Sequence, residues 1–453
     1  MRKKLLILLL LCLVFIFIGI SSAEPVEEWH KTFGGPWSDN SYSVQQTTDG
    51  GYIIIGESKS SERNNVFCLI KTDMNGNREW DTTFNNSCCD RCFSGQQTAD
   101  GGYILLGFTK SEGTLYDFWL IKTNSNGTQE WDKIFGGISF DFGYSVQQTT
   151  DEGYIVVGLT NSYGAGFADV WLIKTDSNGN MGWDRTFGGA SDDRGDSVQQ
   201  TSDGGYIITG RTSSYGAGFQ DVWLIKTDSN GNMEWNRTFG GSGDDWGRSV
   251  QQTSDDGYII ACLIYGVDSI DVGLIKTDSD GNEEWNKTFG GAELDMGFSV
   301  QQTSDGGYIV AGGTWSYGTE GDVWLIKTDS NGNEEWNKTF GGAEMDEGRA
   351  VQQTSDGGYI IAGDTRSYGV EQCDILLLKV KGDEVGEIPT PTPTPIETPT
   401  TLPTTPIQTP VTTPKEVTQT PVTPLPSETT PGFEAMFAIV GILVIAYVLR
   451  RKG

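Results

Sequence analysis

The chain has 453 residues, with 61 acidic and 31 basic side chains and a formal net charge of −30. This acidity disfavours nucleic acid as a partner, because proteins that bind nucleic acid neutralise its phosphates with Lys and Arg. The one histidine, His30, occupies a position that holds Asp or Asn in related stretches of the chain. It therefore disfavours a Ser/His/Asp triad and excludes a metal site with two histidines.

The N-terminus has the pattern of a secretory signal. Three basic residues at 2–4 precede an apolar run over 5–20, and small residues follow at 21–23. This order predicts a signal peptide at 1–23 that is cleaved after Ala23, with an uncleaved anchor as the alternative. We therefore expect the rest of the chain to be exported.

Two aromatic markers recur in step along 24–382, at intervals of 50 to 52 residues. Two markers that move together indicate seven structural units of one length, and such periods are typical of solenoids and propellers. The markers are Trp29, Trp80, Trp131, Trp183, Trp235, Trp285 and Trp336, and Tyr52, Tyr103, Tyr154, Tyr206, Tyr258, Tyr308 and Tyr359.

Each unit contains four short apolar runs separated by Asp-Gly, Asn-Gly or Gly-Gly, which are residues typical of tight hairpins. The third run is apolar on consecutive residues, so both of its faces should be buried. The sequence therefore predicts an all-β fold, a seven-bladed β-propeller of four-stranded blades. In the fourth unit the predicted strands are Ser197–Thr201, Gly205–Gly210, Asp221–Thr227 and Glu234–Phe239.

The order of the runs predicts how the ring closes. Each blade should run from its inner to its outer strand, and an F-G-G-x-x-x-D-x-G segment should cross to the next blade. The array begins with an isolated outer run, Glu28–Phe33, and ends with a unit of only three runs. We expect the first run to complete the last blade, which leaves no open sheet edges.

An Asp recurs in all seven crossovers, usually two residues before Gly. Seven identical catalytic acids would be unusual, whereas a carboxylate that accepts backbone N–H groups in a turn is common. We expect a structural role for Asp39, Asp90, Asp141, Asp193, Asp245, Asp295 and Asp346.

The D-S-N-G-N turns resemble the opening of a calcium loop but lack the bidentate Glu at its twelfth position. Hairpin geometry already explains Asn-Gly between two strands. We therefore expect no metal and no cofactor, with calcium at these turns as the weaker alternative. Its candidate ligands are Asp176, Asn178, Asp228 and Asn230.

One face of the ring should carry the short turns and the other the crossovers and the loops between second and third strands. The loop-rich face holds aromatic residues, and flat rings beside Gly and carboxylates suit sugars. Packing of the loops against neighbouring blades is the alternative explanation. The candidates for ligand binding are Tyr163, Phe167, Tyr215, Phe219, Trp246, Trp315, Tyr317 and Tyr368.

The second unit opens with a C-C-x-x-C cluster, and Cys68 precedes it by one strand, in what we take to be the same blade. An exported chain favours local disulfides or free thiols over a soft-metal site. The disulfide candidates are Cys68, Cys88, Cys89 and Cys92. Five Asn-x-Ser/Thr sequons predict glycans at Asn85, Asn126, Asn236, Asn286 and Asn337.

The composition changes after Gly382, and 383–430 is dominated by Thr and Pro. Such a segment cannot bury a core and should form a disordered, extended stalk that carries O-linked sugars. Over 431–453, Pro431-Gly432-Phe433 leads into an apolar run that ends in two Arg and a Lys. This pattern predicts a short transmembrane helix with its C-terminus inside.

The stalk, the Pro431-Gly432-Phe433 motif, the apolar run and the basic end together resemble the archaeal PGF-CTERM sorting signal. The resemblance implies an archaeosortase as processing partner and an extracellular, membrane- or lipid-anchored product; whether the helix is kept or removed stays open. The repeats are similar to W-x-K-T-F-G-G and Q-Q-T-x-D-G-G-Y-I-I-x-G propeller repeats of archaeal and bacterial surface proteins, especially those of methanogens.

We therefore expect a surface-anchored cell-envelope, adhesion or ligand-binding module that is not an enzyme, with a glycan or a surface protein as its partner. The alternatives are a polysaccharide lyase or glycosidase and an architectural surface-layer subunit. Arg, Tyr and carboxylate groups converging at the ring axis would favour the enzyme. An axis lined only by the repeated Gln pairs would favour binding or structure.

Overall fold

A computed structural model describes residues 25–382 except 62, 63, 88, 111–114, 267, 268, 370 and 371. The chain divides into a unit of Met1–Ile388 and a second unit of Pro389–Gly453. The predicted signal peptide, stalk and C-terminal helix all lie outside the described residues. Within the described part, no helix is long and apolar enough to span a membrane.

Every regular element of the described residues is a β-strand, and the 28 strands form seven four-stranded antiparallel sheets. We number the blades 1 to 7 in chain order. The isolated strand is β1 (Glu27–Phe33). Blade 1 is β2 (Asn40–Gln46), β3 (Tyr52–Ser61), β4 (Asn64–Thr72) and β5 (Arg78–Phe84). Blade 2 is β6 (Arg91–Gln97), β7 (Tyr103–Lys110), β8 (Tyr116–Thr123) and β9 (Gln129–Phe135). Blade 3 is β10 (Asp141–Gln148), β11 (Tyr154–Thr160), β12 (Asp169–Thr175) and β13 (Met181–Phe187).

The other four blades repeat this order. Blade 4 is β14 (Asp193–Gln200), β15 (Tyr206–Thr212), β16 (Asp221–Thr227) and β17 (Met233–Phe239). Blade 5 is β18 (Asp245–Gln252), β19 (Tyr258–Tyr265), β20 (Ile270–Thr277) and β21 (Glu283–Phe289). Blade 6 is β22 (Asp295–Gln302), β23 (Tyr308–Thr314), β24 (Asp322–Thr328) and β25 (Glu334–Phe340). Blade 7 is β26 (Asp346–Gln353), β27 (Tyr359–Thr365) and β28 (Asp374–Val380), completed by β1.

The predicted propeller and its closure are confirmed. In blade 7 the order is β1-β28-β27-β26, and β1 is antiparallel to β28 with Phe33 opposite Ile375. The third strands are buried on both faces, as their continuous apolar runs predict.

The two sequence markers contact each other between blades. Each outer-strand Trp packs on the second-strand Tyr of the next blade, with ring centroids 5.8 to 6.0 Å apart at all seven junctions. The closing pair, Trp29 with Tyr52, joins blade 7 to blade 1. The Trp and Tyr markers therefore share one period because they form the same contact at every interface between blades.

The Gln pairs also join neighbouring blades. The side-chain carbonyl of the second Gln accepts a backbone N–H from the preceding blade at 2.8 to 2.9 Å at all seven junctions. The side-chain carbonyl of the first Gln accepts the backbone N–H of the second Gln in the next blade, at six junctions. The pairs thus hold the inner strands in register around the axis.

A buried Lys near the end of each third strand binds the Asp of the turn between first and second strands, at 2.7 to 3.0 Å. In five blades a Glu of the outer strand binds the same ammonium. In blade 7 the N-terminal Glu28 takes that place, 3.9 Å from Lys379. These ion pairs tie the outer strand of a blade to its inner turn.

We predict that acid weakens these ion pairs. Partial burial acts to raise the pKa of Asp203, but hydrogen bonds from Lys226 and Thr201 outweigh it and lower that pKa to about 2. Because the unfolded value is about 3.9, the stabilisation is complete above about pH 4 and is lost as the pH falls through about 2. The melting temperature should fall over this window and fall less in Asp203→Asn. Equal melting temperatures at pH 5 and pH 2 would contradict the prediction.

Candidate functional site

The first strand of every blade begins earlier than its sequence predicts and contains a β-bulge. In blade 4 we predicted the strand at Ser197–Thr201, with Asp193 and Gly195 in the crossover, but β14 spans Asp193–Gln200. That prediction is wrong because the D-x-G stretch also pairs with the second strand. The register shifts between Gly195 and Ser197, which leaves Asp196 as the extra residue of the bulge.

The same bulge recurs in all seven blades, and the extra residue differs between them although its neighbours repeat. We call these seven residues the bulge ring. They are Tyr42, Phe93, Tyr144, Asp196, Arg248, Phe298 and Arg349. Bulges re-aim a side chain and are common next to functional sites.

The members of the bulge ring contact one another directly at six of the seven junctions between blades. The ring centroids of Tyr42 and Phe93 are 5.1 Å apart, and those of Phe93 and Tyr144 are 5.3 Å apart. Arg248 lies 3.6 Å from Asp196 and 5.9 Å from the Phe298 ring centroid. Seven residues from seven blades, about 50 positions apart in sequence, thus meet at one end of the axis.

Arg349 makes two of these contacts. Its guanidinium carbon is 4.6 Å from the Phe298 ring centroid and 6.0 Å from that of Tyr42. The gap between blades 3 and 4 is bridged by Arg194, which lies 3.7 Å over Tyr144 and 2.6 Å from Asp196.

The crossover Asp residues fix the start of each bulged strand, which confirms their predicted structural role. Asp193 is fully buried, and its carboxylate accepts the Gly189 N–H at 2.8 Å, the Ser214 hydroxyl at 2.6 Å and the Thr212 hydroxyl. The following Gly195 lies against the preceding blade, where a Cβ would be 2.6 Å from Val157. The D-x-G motif therefore positions the bulge that follows it.

Tyr, Arg and carboxylate groups converge between blades 1 and 2. Arg91 binds Glu57 through two hydrogen bonds of 2.7 and 3.1 Å, and it donates to the Tyr42 hydroxyl at 2.7 Å. Burial and the charge of Glu57 raise the pKa of Tyr42, although Arg91 opposes the shift. The phenol therefore stays protonated at neutral pH.

A second ion cluster lies between blades 7 and 1. Arg349 binds Glu347, and its Nε is 3.2 Å from Asp364. Asp364 also accepts the Ser41 N–H at 2.9 Å. Burial raises the pKa of Asp364 to about 6, although Arg349 and the Ser41 N–H oppose the shift.

A central cavity of about 270 Å³ follows the bulge ring along the axis, and the first Gln of each pair lines it. Its other lining residues are Val, with Gly95 in blade 2. The axis thus carries the same residue in every blade at the level of the Gln pairs, whereas four residue types occur among the seven positions of the bulge ring. The Gln-lined axis and the convergence of Arg, Tyr and carboxylate groups are therefore both present, at different depths.

The four Tyr residues among the eight predicted aromatic candidates pack against the crossovers that precede their blades. Four of the Tyr hydroxyls donate to a crossover Gly carbonyl at 2.7 to 3.0 Å. Phe167 and Phe219 are 74% and 79% exposed, and Trp315 is half-buried. Trp246 instead lies in β18, next to the bulge ring. Binding at this set stays a prediction; the packed Tyr residues are Tyr163, Tyr215, Tyr317 and Tyr368.

The candidate calcium turns are held by their own hydrogen bonds. The Asp176 carboxylate accepts the Asn178 and Asn180 N–H groups at 2.9 and 2.8 Å and the Asn180 amide at 2.9 Å. Asp228 makes the same bonds in blade 4, with Asn230 and Asn232. No group of three or more His, Cys, Asp or Glu among the described residues is placed to hold a metal.

The expectation that Cys68 shares a blade with the cysteine cluster is wrong. Cys68 lies on β4 of blade 1 and Cys92 on β6 of blade 2, because β5 and the crossover separate them. Both thiols are free and buried, and burial raises the pKa of Cys68 to about 12. Cys89 is half-buried and Cys88 lies outside the described residues, so a disulfide here stays a prediction.

All five sequon Asn residues are exposed, as glycan attachment requires. The Asn236 and Asn337 side-chain carbonyls accept the indole N–H of a third-strand Trp at 3.2 and 3.1 Å. Glycosylation stays a prediction.

The sequence analysis did not identify the bulge ring, apart from noting Trp246 beside it. Repetition indicated structural roles, but the varying position in the first strand of each unit was not compared among the seven copies. Aligning the seven units reveals the bulge position. The residue two places before the Val or Gly of each first strand varies among the blades, whereas the Gln pair that follows is constant.

The comparisons with known proteins identify a sorting motif and the fold. A family model described as the PGF-CTERM motif matches residues 430–452. No curated protein matches the chain. The WD40 domain of Pan2 from Neurospora crassa is similar with a TM-score of 0.52 and 9% identity, covering 80% of this chain and 96% of that one.

Two other solved structures are similar at lower scores. A protein of unknown function from Dyadobacter fermentans has a TM-score of 0.48 and 8% identity, covering 79% of this chain and 99% of that one. A puromycin hydrolase mutant complexed with PGG has a TM-score of 0.47 and 11% identity, covering 72% and 50%. Likeness at these identities concerns the fold alone.

The PGF-CTERM match confirms the sorting signal predicted from Pro431, Gly432 and Phe433. This motif implies processing by an archaeosortase and anchoring to the membrane or to a lipid at the C-terminus. The archaeal origin stays a prediction. The chain is therefore an extracellular cell-surface protein, a seven-bladed β-propeller that is anchored through its C-terminal PGF-CTERM motif.

Proposed function

We propose that this protein is a recognition module that binds a cell-envelope glycan or another surface molecule at the bulge ring. One observation supports this above all. A repeat conserved for structure alone would carry similar residues at all seven bulges, yet these hold two Tyr, two Phe, two Arg and one Asp. Aromatic rings and Arg are the side chains most enriched at binding hot spots.

The position of the ring agrees with this proposal. The bulged strands start at the crossovers, so the ring opens on the loop-rich face, while the Gln pairs lie towards the short turns. Phe167 and Phe219 lie in loops of that face and extend the surface that a large ligand would contact.

The test is a glycan-array and cell-wall binding screen with the purified full chain, with and without calcium. We expect saturable binding that Phe298→Ala weakens at least tenfold while the melting temperature changes by only a few degrees. Tyr215→Ala with Phe219→Ala is the matched variant at the edge of the face, and it tests the candidates predicted from sequence. Absence of binding under both conditions would contradict the proposal, and ordered self-assembly would then support the architectural alternative.

A polysaccharide-active enzyme is the second candidate, favoured by the Tyr42, Arg91 and Glu57 cluster. Arg, Tyr and carboxylate groups at the axis were the pattern expected for a lyase or glycosidase. Against it, each group is already bound to the others, and the raised pKa of Tyr42 keeps its phenol protonated, so little phenolate is available to act as a base. The glycans bound in the screen should therefore be assayed for new reducing ends.

A further inference from the structure

Three guanidinium groups gather around a single carboxylate between blades 4 and 5. Arg194 lies 2.6 Å and Arg248 3.6 Å from Asp196. Arg211 stands opposite Arg194 in the strand pairing, and its guanidinium carbon is 4.3 Å from the centroid of the Trp246 ring. The group therefore carries a local excess of positive charge in a chain whose formal net charge is −30.

Several donors of this cluster have no acceptor among the residues that the structure describes. These are the Nε atoms of Arg194 and Arg248 and the indole Nε1 of Trp246, all of them buried. The Arg211 guanidinium forms no hydrogen bond or ion pair with the side chains that the structure describes, and it contacts the Trp246 ring. Buried donors are rarely left unpaired, because a donor that leaves water without gaining an acceptor destabilises the folded state.

The neighbouring carboxylates do not supply the missing charge. Asp193 is occupied by the Gly189 N–H and by two hydroxyls, and Asp192 is exposed and forms no ion pair with described residues. Burial lowers the pKa of Arg211, and nearby Arg194 adds to the shift while Asp196 opposes it. The folded protein thus keeps a cationic cluster that its own groups only partly neutralise.

A cavity of about 220 Å³ adjoins this cluster. It is lined by Phe142, Leu159, Arg194, Arg211 and Gln220, and also by the carboxylate residues Asp192 and Asp193. The fork of N–H donors on a guanidinium matches the two oxygens of a carboxylate or sulfate. The apolar ring of Phe142 offers a flat surface beside those donors.

We propose that the cavity binds the oxyanion of an acidic sugar, a carboxylate or a sulfate, held by Arg194 and Arg211, the two residues of the cluster that line it. This inference rests on the proposed recognition function and names its ligand class. A sugar with one oxyanion suits the site better than a polyanion, because the rest of the acidic surface repels a chain of negative charges.

Isothermal titration of the full chain with glucuronate, glucose, inorganic sulfate and inorganic phosphate tests this inference. We expect glucuronate to bind at least tenfold more tightly than glucose and than either inorganic ion. Arg211→Leu should weaken glucuronate binding at least tenfold without lowering the melting temperature, since blades 3 and 5 carry Leu159 and Leu263 at this position. Arg237→Leu, on the outer strand β17, removes the same charge and should leave binding unchanged.

The outcomes separate this inference from the proposed function. Equal affinity for glucuronate and inorganic sulfate would overturn the sugar assignment. Equal affinity of the wild type and Arg211→Leu, or no saturable anion binding, would overturn the oxyanion site. If the array then showed a neutral glycan whose binding Phe298→Ala abolishes, the recognition function would stand while the acidic-sugar inference failed.

Discussion

Deleting Glu27–Phe33 should remove the cooperative unfolding transition or lower its midpoint by more than 10 °C, which corresponds to roughly 5 kcal/mol or more. The deletion removes the outer strand of blade 7 and exposes the edge of β28. It also removes Phe33, which is 9% exposed, and the Trp29 ring that packs on Tyr52 of blade 1. Circular dichroism during thermal unfolding measures the effect.

The matched control keeps β1 and changes only one half-buried side chain. His30→Asn introduces the residue that three other outer strands carry at this position, and it should alter stability by no more than about 1 kcal/mol, since it removes the stacking of the His30 ring on Tyr368. An unchanged transition after the deletion would contradict the ring closure, because the strand would then contribute nothing to blade 7. An exposed β28 edge should also promote association between chains, which light scattering would detect.

Asp193→Ala should destabilise the protein by about 2 kcal/mol or more, because it leaves the buried Thr212 hydroxyl and the half-buried Gly189 N–H and Ser214 hydroxyl without their acceptor. Without these hydrogen bonds the first residues of β14 should become less ordered. The variant should therefore also lose any ligand that binds at the bulge ring. Urea unfolding gives the free-energy change, and titration with the ligand found in the screen gives the affinity.

Asp192→Ala is the matched control, one residue earlier and exposed. We expect it to change the free energy of unfolding by less than about 0.5 kcal/mol. If Asp193→Ala were as mild as Asp192→Ala, the structural role of the repeated crossover Asp would be wrong. A stable Asp193→Ala that had lost ligand binding would instead place this carboxylate in the site.

The sequence predicted the fold almost completely because its evidence is local and appears seven times. Turn residues, the buried third strand and the Trp and Tyr markers each recur with one period. An atypical residue in one unit does not obscure the pattern, because the other six units share it. The closure was predictable for the same reason, since four strands per blade leave β1 without a sheet unless it joins β28.

The strand starts were mispredicted because D-x-G has the composition of a turn. In the structure Asp193 and Gly195 pair with Thr212 and Gly210 and form the first part of β14. Whether such a segment pairs depends on the strand opposite it, and this information is not contained in a short window of sequence.

The sequence by itself determined the number of blades, the closing strand, the structural Asp and the C-terminal anchor, because these depend on periodic composition and on a contiguous motif. Only the tertiary structure decided where the candidate site lies. Seven bulge residues that are far apart in the chain meet at one end of the axis, and the pairing register selects which residue each bulge projects. Closing the ring therefore converts the variation among the repeats into one continuous surface.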